Sequence, residues 1–260
     1  MKFGLIGHGA IAQYVVEHLG TGDLAYVIAR PGREAAAREA LGFDGPVGVS
    51  MDGAPAMEVL VDCAGHAGLQ AHGAAALGAG VDVLTVSIGA LAEQGLYDDL
   101  TASARAGGSA CYLATGAIGV LDAVAAGAVG GLSRVQYTGR KPPGGWRGSP
   151  AEAVLDLDAL TEATAHFEGT AREAALGYPK NANVAAAVAL AGTGFDATQV
   201  RLIADPGVTE NIHEIEAEGA FGRLTFQIAG NTLASSPRTS ALAAMSVVKA
   251  LRDRSAAIRI

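Results

Sequence analysis

The chain has 260 residues and a mass of 26.0 kDa, about 100 Da per residue, so its side chains are small on average. Half of the residues are hydrophobic and 17% are charged, which excludes intrinsic disorder. With 26 acidic against 18 basic residues the formal charge is −8, and without a basic tract a nucleic-acid partner is not expected.

The most apolar long stretch, residues 113–133, carries Asp122 and consists mainly of Gly and Ala, so no membrane span or membrane partner is expected. The apolar run at the N-terminus is broken by His8 and Gln13 and reads as a strand and loop, not as a signal peptide. Cys63 and Cys111 have neither CxxC spacing nor a histidine partner. They read as core thiols in a reducing cytoplasm.

In chain order, residues 2–6 predict a strand, 10–19 a helix closed by Gly20, 24–29 a strand, and 33–41 a helix closed by Gly42. Strands follow at 59–63, 81–86 and 110–113, with helices at 67–77 and 91–105 between them. Apolar strands without polar alternation belong in a sheet covered on both faces, and repeated β-α-β order implies a parallel, doubly wound Rossmann-type sheet. The pattern changes after Gly116. Residues 134–140 and 223–229 alternate, as half-exposed antiparallel strands do. Thr170-Ala171-Arg172-Glu173 is a capping box, residues 184–191 form a helix stopped by Gly192, and Ser236-Pro237 opens a last helix running to about residue 252. The expected organisation is α/β. A first domain spans 1–116, a second domain of mixed or antiparallel sheet spans 117–235, and a terminal helix at 236–260 packs back on the first domain.

Gly7-His8-Gly9-Ala10-Ile11-Ala12 fits G-x-G-x-x-A directly after the first strand and at the start of a helix. That context predicts a pyrophosphate held at the helix N-terminus by Gly7, Gly9, Ala10 and Ile11. Where NAD-preferring sites carry an acid after the second strand, this chain has Arg30 and Arg33. Guanidinium groups suit a 2′-phosphate, which tilts the expected cofactor from NAD toward NADP.

Farther along, strand alternation across residues 205–218 sends Glu214, Glu216 and Glu218 to one face and Asn211, His213 and Ile215 to the other. An inward histidine beside an amide is either a satisfied core residue or a general acid–base group. In Lys180-Asn181-Ala182-Asn183, either asparagine suits an N-cap, with Lys180 aimed at a polar ligand as the functional reading. Arg140-Lys141-Pro142-Pro143-Gly144-Gly145-Trp146 is a rigid loop with two cations and the only tryptophan, either a carboxylate-binding lid or a solvated turn whose Trp packs at an interface. His8, His66 and His72 receive no role, and no metal-ligand spacing stands out.

Several ordered strings together resemble the L-aspartate dehydrogenase family, related in fold to dihydrodipicolinate reductase. They are the glycine fingerprint, Thr115-Gly116-Ala117-Ile118-Gly119, Gly139-Arg140-Lys141-Pro142-Pro143, residues 167–175, Pro179-Lys180-Asn181-Ala182-Asn183, Asp205-Pro206 through Asn211-Ile212-His213, and Ser236-Pro237-Arg238-Thr239-Ser240. The resemblance makes His213 the active-site residue and brings Ala117 and Asn183 to the nicotinamide cofactor. It implies reversible NAD(P)-dependent deamination of L-aspartate to iminoaspartate, then to oxaloacetate and ammonia, with iminoaspartate also a precursor for nicotinamide biosynthesis. Lys141, Lys180 and Arg140 are candidate carboxylate ligands by charge alone. A homodimer or larger assembly is expected from the flat strands of the second domain. Two other readings stand beside it: a reductase of another small dicarboxylate or imine, and a non-catalytic dinucleotide sensor.

Overall fold

The structure, a computed structural model, describes residues 1–179 and 181–259, except for the side chain of Arg238. Two compact units form, Met1–Gly116 together with Ala243–Ile260, and Ala117–Leu242.

The first unit alternates strand and helix: β1 (Phe3–Ile6), α1 (Ala10–Leu19), β2 (Leu24–Ile28), α2 (Glu34–Leu41), β3 (Val47–Gly48), β4 (Val59–Asp62), α3 (His66–Gly78), β5 (Asp82–Thr85), α4 (Gln94–Gly107) and β6 (Cys111–Leu113). All strands are parallel, in the order β3-β2-β1-β4-β5-β6. The order reverses between β1 and β4, the position where open α/β sheets bind ligands at the strands' carboxyl ends. Continuous apolar strands explain the parallel sheet: all four residues of β1 and of β4 are buried. The short β3 escaped the sequence reading because two residues carry no periodicity.

The second unit contains α5 (Leu121–Val129), β7 (Leu132–Lys141), β8 (Thr164–Thr170), α6 (Ala171–Gly177), α7 (Asn183–Ala191), β9 (Gln199–Ala204), β10 (Asn211–Gly219), β11 (Gly222–Gly230), β12 (Thr232–Leu233) and β13 (Ser236–Ser240). Its main sheet has the order β11-β10-β7-β9-β8, with β7 and β9 parallel and the other pairs antiparallel. The capping box is present: the Thr170 hydroxyl accepts from the Glu173 amide at 3.2 Å, and the Glu173 carboxylate accepts from the Thr170 amide at 2.8 Å. Val184 through Ala189 of α7 are all buried, so this helix is core all round. Glu216 and Glu218 lie on the face opposite His213 and pair with Arg134 and Arg223.

One element differs from expectation. Ser236-Pro237 does not open the last helix; residues Ser236–Ser240 pair antiparallel with β12, and α8 runs over Ala241–Ser255. Proline tolerates the rim of a two-stranded ribbon, and the Ala241 amide donates to the Asn231 carbonyl at 3.0 Å, closing the turn before the helix. Farther along α8, Val247, Val248 and Leu251 join the first unit's core beside Phe3, Leu5, Val27 and Val61. No helix among the described residues is long and apolar enough to cross a membrane.

Candidate active site

In the first unit the site is made of backbone. Gly7 has φ +87°, in the left-handed region, and a side chain there would meet Ala64 at 3.1 Å. Gly9 caps α1 without a side-chain hydrogen bond, and nothing lies within 4 Å of where its Cβ would be. A phosphate can therefore approach the amides that open α1, where Ala10 and Ile11 are the first residues. His8 Nδ1 is enclosed without a hydrogen-bond partner among the described residues. Burial first, and then the charges of Arg33 and Arg30, hold the His8 imidazole below its ordinary value. Both arginines are thus near the glycine turn, and the first acid after β2 is Glu34, which opens α2. These residues fit a dinucleotide.

The sequence reading missed Asp62, fully buried at the end of β4, accepting from the Thr85 hydroxyl at 2.8 Å and the Ala64 amide at 3.0 Å. Burial holds its carboxyl above the usual range.

In the second unit the site is made of side chains. β7 and β10 pair with His213 opposite Gly139 and Ile215 opposite Tyr137. Strand alternation then places Tyr137, Gly139 and Lys141 on the His213 face. His213 is 5% exposed, and its Nδ1 lies 2.8 Å from the Tyr137 hydroxyl. A Cβ at Gly139 would sit 2.6 Å from that hydroxyl, so glycine is what lets the tyrosine lie along the strand toward His213. Burial lowers His213 to about 4, with the Lys141 charge adding to the effect. Burial lowers Lys141 itself to about 8. Its Nζ donates to Asn181 Oδ1 at 2.7 Å and lies 4.9 Å from the centre of the Trp146 ring.

Several expectations change here. Trp146 is not on a solvated turn: it is fully buried, and its Nε1 donates to the Ile203 carbonyl at 3.0 Å. Arg140 points to the face opposite His213 and binds Asp205 at 2.7 Å, so alternation separates it from Lys141. Neither asparagine caps α7; Ala182 holds that position, because Asn181 Oδ1 is taken by Lys141 and Asn183 is the first helical residue. Ala117 follows left-handed Gly116 in the turn that opens the second unit. Lys180 lies outside the described residues. Tyr137 and His166 carry no expectation from the sequence, and Asn181 carries only that of an N-cap. For Tyr137 the signal was present, two positions before Gly139 in an alternating strand. Asn181 and His166 meet this cluster only through the tertiary fold.

A family profile described as "Aspartate dehydrogenase, C-terminal" matches residues 122–254, and one described as "Homoserine dehydrogenase, NAD binding domain" matches residues 7–114. The L-aspartate dehydrogenase of Ruegeria pomeroyi is 60% identical across 100% of this chain and 94% of its own length. The chain belongs to the L-aspartate dehydrogenase family. The relative from Ralstonia nicotianae is 49% identical over the whole of both chains. Among solved structures, the aspartate dehydrogenase of Thermotoga maritima superposes with a TM-score of 0.78 at 25% identity, covering 100% of this chain and 99% of that one. The matched relatives span both units.

Proposed function

We propose that the chain is an NAD(P)-dependent dehydrogenase that deaminates L-aspartate, with His213 as its acid–base residue. The observation that carries this reading is the buried Tyr137–His213 pair beside Lys141, in a chain with the dinucleotide turn and the family's two profiles. Gly7, Gly9, Ala10 and Ile11 would hold the pyrophosphate, and Ala117 and Asn183 would line the nicotinamide. When bound, the nicotinamide supplies a hydride acceptor for the substrate Cα. Lys141 holds a substrate carboxylate. With Nδ1–H donating to Tyr137, His213 Nε2 takes the proton of the water that adds to iminoaspartate; it returns a proton as ammonia leaves and oxaloacetate forms. Burial keeps the free imidazole neutral at pH 7, and an anionic substrate beside it raises its proton affinity. The same residues serve reductive amination in reverse, and iminoaspartate released before hydrolysis would supply nicotinamide biosynthesis.

Arg30 and Arg33 favour NADP over NAD by adding cations where a 2′-phosphate would lie. The open sheet face of the second unit supports assembly into a homodimer or larger. The free thiols Cys63 and Cys111 suit the cytoplasm.

The test is a substrate panel followed at the absorbance of reduced nicotinamide, with NAD and NADP in parallel. Turnover of L-aspartate is expected. Turnover of another small dicarboxylate or imine alone would favour the reductase reading, and cofactor binding without any turnover would favour a sensor.

A further inference from the structure

His166 stands outside the mechanism so far, yet its Nε2 is enclosed with no hydrogen-bond partner among the described residues. Buried polar atoms are nearly always satisfied, so one left open beside a cation suggests a ligand atom that completes it. The surroundings are built. The ladder between β8 and β9 slips between Ala165 and Phe167, and His166 is the bulged residue. Bulges re-aim side chains. Its Nδ1 lies 3.2 Å from the Tyr178 hydroxyl, and its ring packs edge-on against Trp146 with centroids 4.3 Å apart. Lys141 contacts that same indole and is anchored by Asn181. One buried tryptophan therefore sets the positions of a cation and an imidazole, each with one nitrogen interaction anchored and donor capacity left over. When the Tyr178 hydroxyl donates to Nδ1, the neutral ring carries its proton on Nε2 and offers an N–H.

We infer that Lys141 and His166 form a two-point receptor for the side-chain carboxylate of the substrate, the feature that selects a dicarboxylate. The inference rests on the proposed aspartate chemistry for its meaning in turnover, but its binding test does not. In this arrangement His213 works at the reacting carbon. Lys141 and His166 hold the side-chain carboxylate, whose carbon lies two farther on, the ammonium by charge and the imidazole by direction. His166 is thus a specificity-determining residue, not an acid–base group.

Trp146 is the only tryptophan, so its fluorescence reports on this receptor directly. Succinate, a dicarboxylate without an amino group, is titrated into the enzyme and followed by fluorescence and calorimetry, with butyrate as the monocarboxylate control. Succinate should bind at least about tenfold more tightly than butyrate, consistent with loss of one charge-assisted contact. His166→Asn keeps a nitrogen near the Nδ1 position but none at Nε2. It should weaken succinate and raise KM for aspartate by about tenfold, with kcat changed much less. His166→Gln, whose amide reaches the Nε2 position, should recover most of both. If position 166 does not tolerate change, Lys141→Met should give the same loss.

A merely structural His166 predicts the opposite ranking, with Asn better than Gln, and that result overturns the receptor. So would absent succinate binding in the wild type, or a kcat loss without a KM change. Aspartate turnover with equal KM in all variants would leave the deamination reading standing without the receptor. The expected succinate ranking without aspartate turnover would do the reverse.

Discussion

The two units build their sites in opposite ways. In the first, the decisive atoms are backbone amides at the start of α1, and the sequence contributes mainly by omission: glycine at 7 and 9, and no side-chain cap. In the second, the decisive atoms are side chains carried by β7 and β10 and by the chain around residues 146, 166 and 181, brought together on and around one sheet. A backbone site is short in sequence and tolerant of its surroundings. A side-chain site depends on register, because a slip of one residue would turn Tyr137, Lys141 and His213 to the other face. The charge balance differs as well. The first unit can leave Arg30 and Arg33 exposed, whereas the second encloses Lys141 at the cost of lowering its proton affinity.

The largest expected effect tests the backbone site. Gly9→Val should abolish cofactor binding while the melting temperature stays close to wild type, since the new side chain meets no protein atom within 4 Å at its Cβ. Calorimetric titration of the folded variant with NADP and NAD checks this, and unchanged affinity would mean the turn holds no pyrophosphate.

The matching experiment on the side-chain site is His213→Ala. Its kcat should fall by about 10²-fold or more, the usual effect of removing a general acid–base group, with cofactor affinity retained. Near-wild-type turnover would make His213 a core residue. Steady-state rates and a cofactor titration on the same preparation separate the two sites.

Tyr137→Phe probes register-dependent positioning. Losing the hydroxyl leaves His213 Nδ1 without this partner, so kcat should drop by about tenfold, and stability by about 1–3 kcal/mol, the range for an unsatisfied buried group. Gly139→Ala should reproduce the kinetic loss, because its Cβ would crowd the Tyr137 hydroxyl. If Gly139→Ala is kinetically silent, the contact does not position the imidazole.

A smaller effect is expected from pH. Lys141, lowered to about 8 by burial, loses its charge as pH rises through that value in the free enzyme. His166 and His213, each lowered to about 4, are already neutral there. Succinate affinity should therefore be level from pH 6 to 7.5, values spanning roughly the neutral range of both histidines, and decline above about 8. Fluorescence titrations across that range, repeated with Lys141→Met, should show the decline only in the wild type.

The last expected effect returns to the first unit. Arg30→Ala with Arg33→Ala should weaken NADP by about 1.5–3 kcal/mol per contact at most and leave NAD nearly unchanged. Equal effects on both cofactors would mean that neither arginine meets a 2′-phosphate.

The sequence by itself determined the parallel sheet, because buried strands need continuous apolar runs, and the dinucleotide turn, because glycine permits the left-handed φ at Gly7. It also determined the inward face of β10, because strand periodicity leaves His213 no other side once Glu214, Glu216 and Glu218 turn outward. It misread Ser236-Pro237, where a helix-start signal was outweighed by pairing with β12, a contact that local propensity does not encode. Tertiary structure alone decided that Lys141 meets Asn181, 40 positions away, and that His166 meets the ring of Trp146. Hydrogen bonds and ring contacts between such distant residues follow from strand order and from a bulge in β8. Those arise from how the sheet packs, while the residues themselves carry only the capacity to bond.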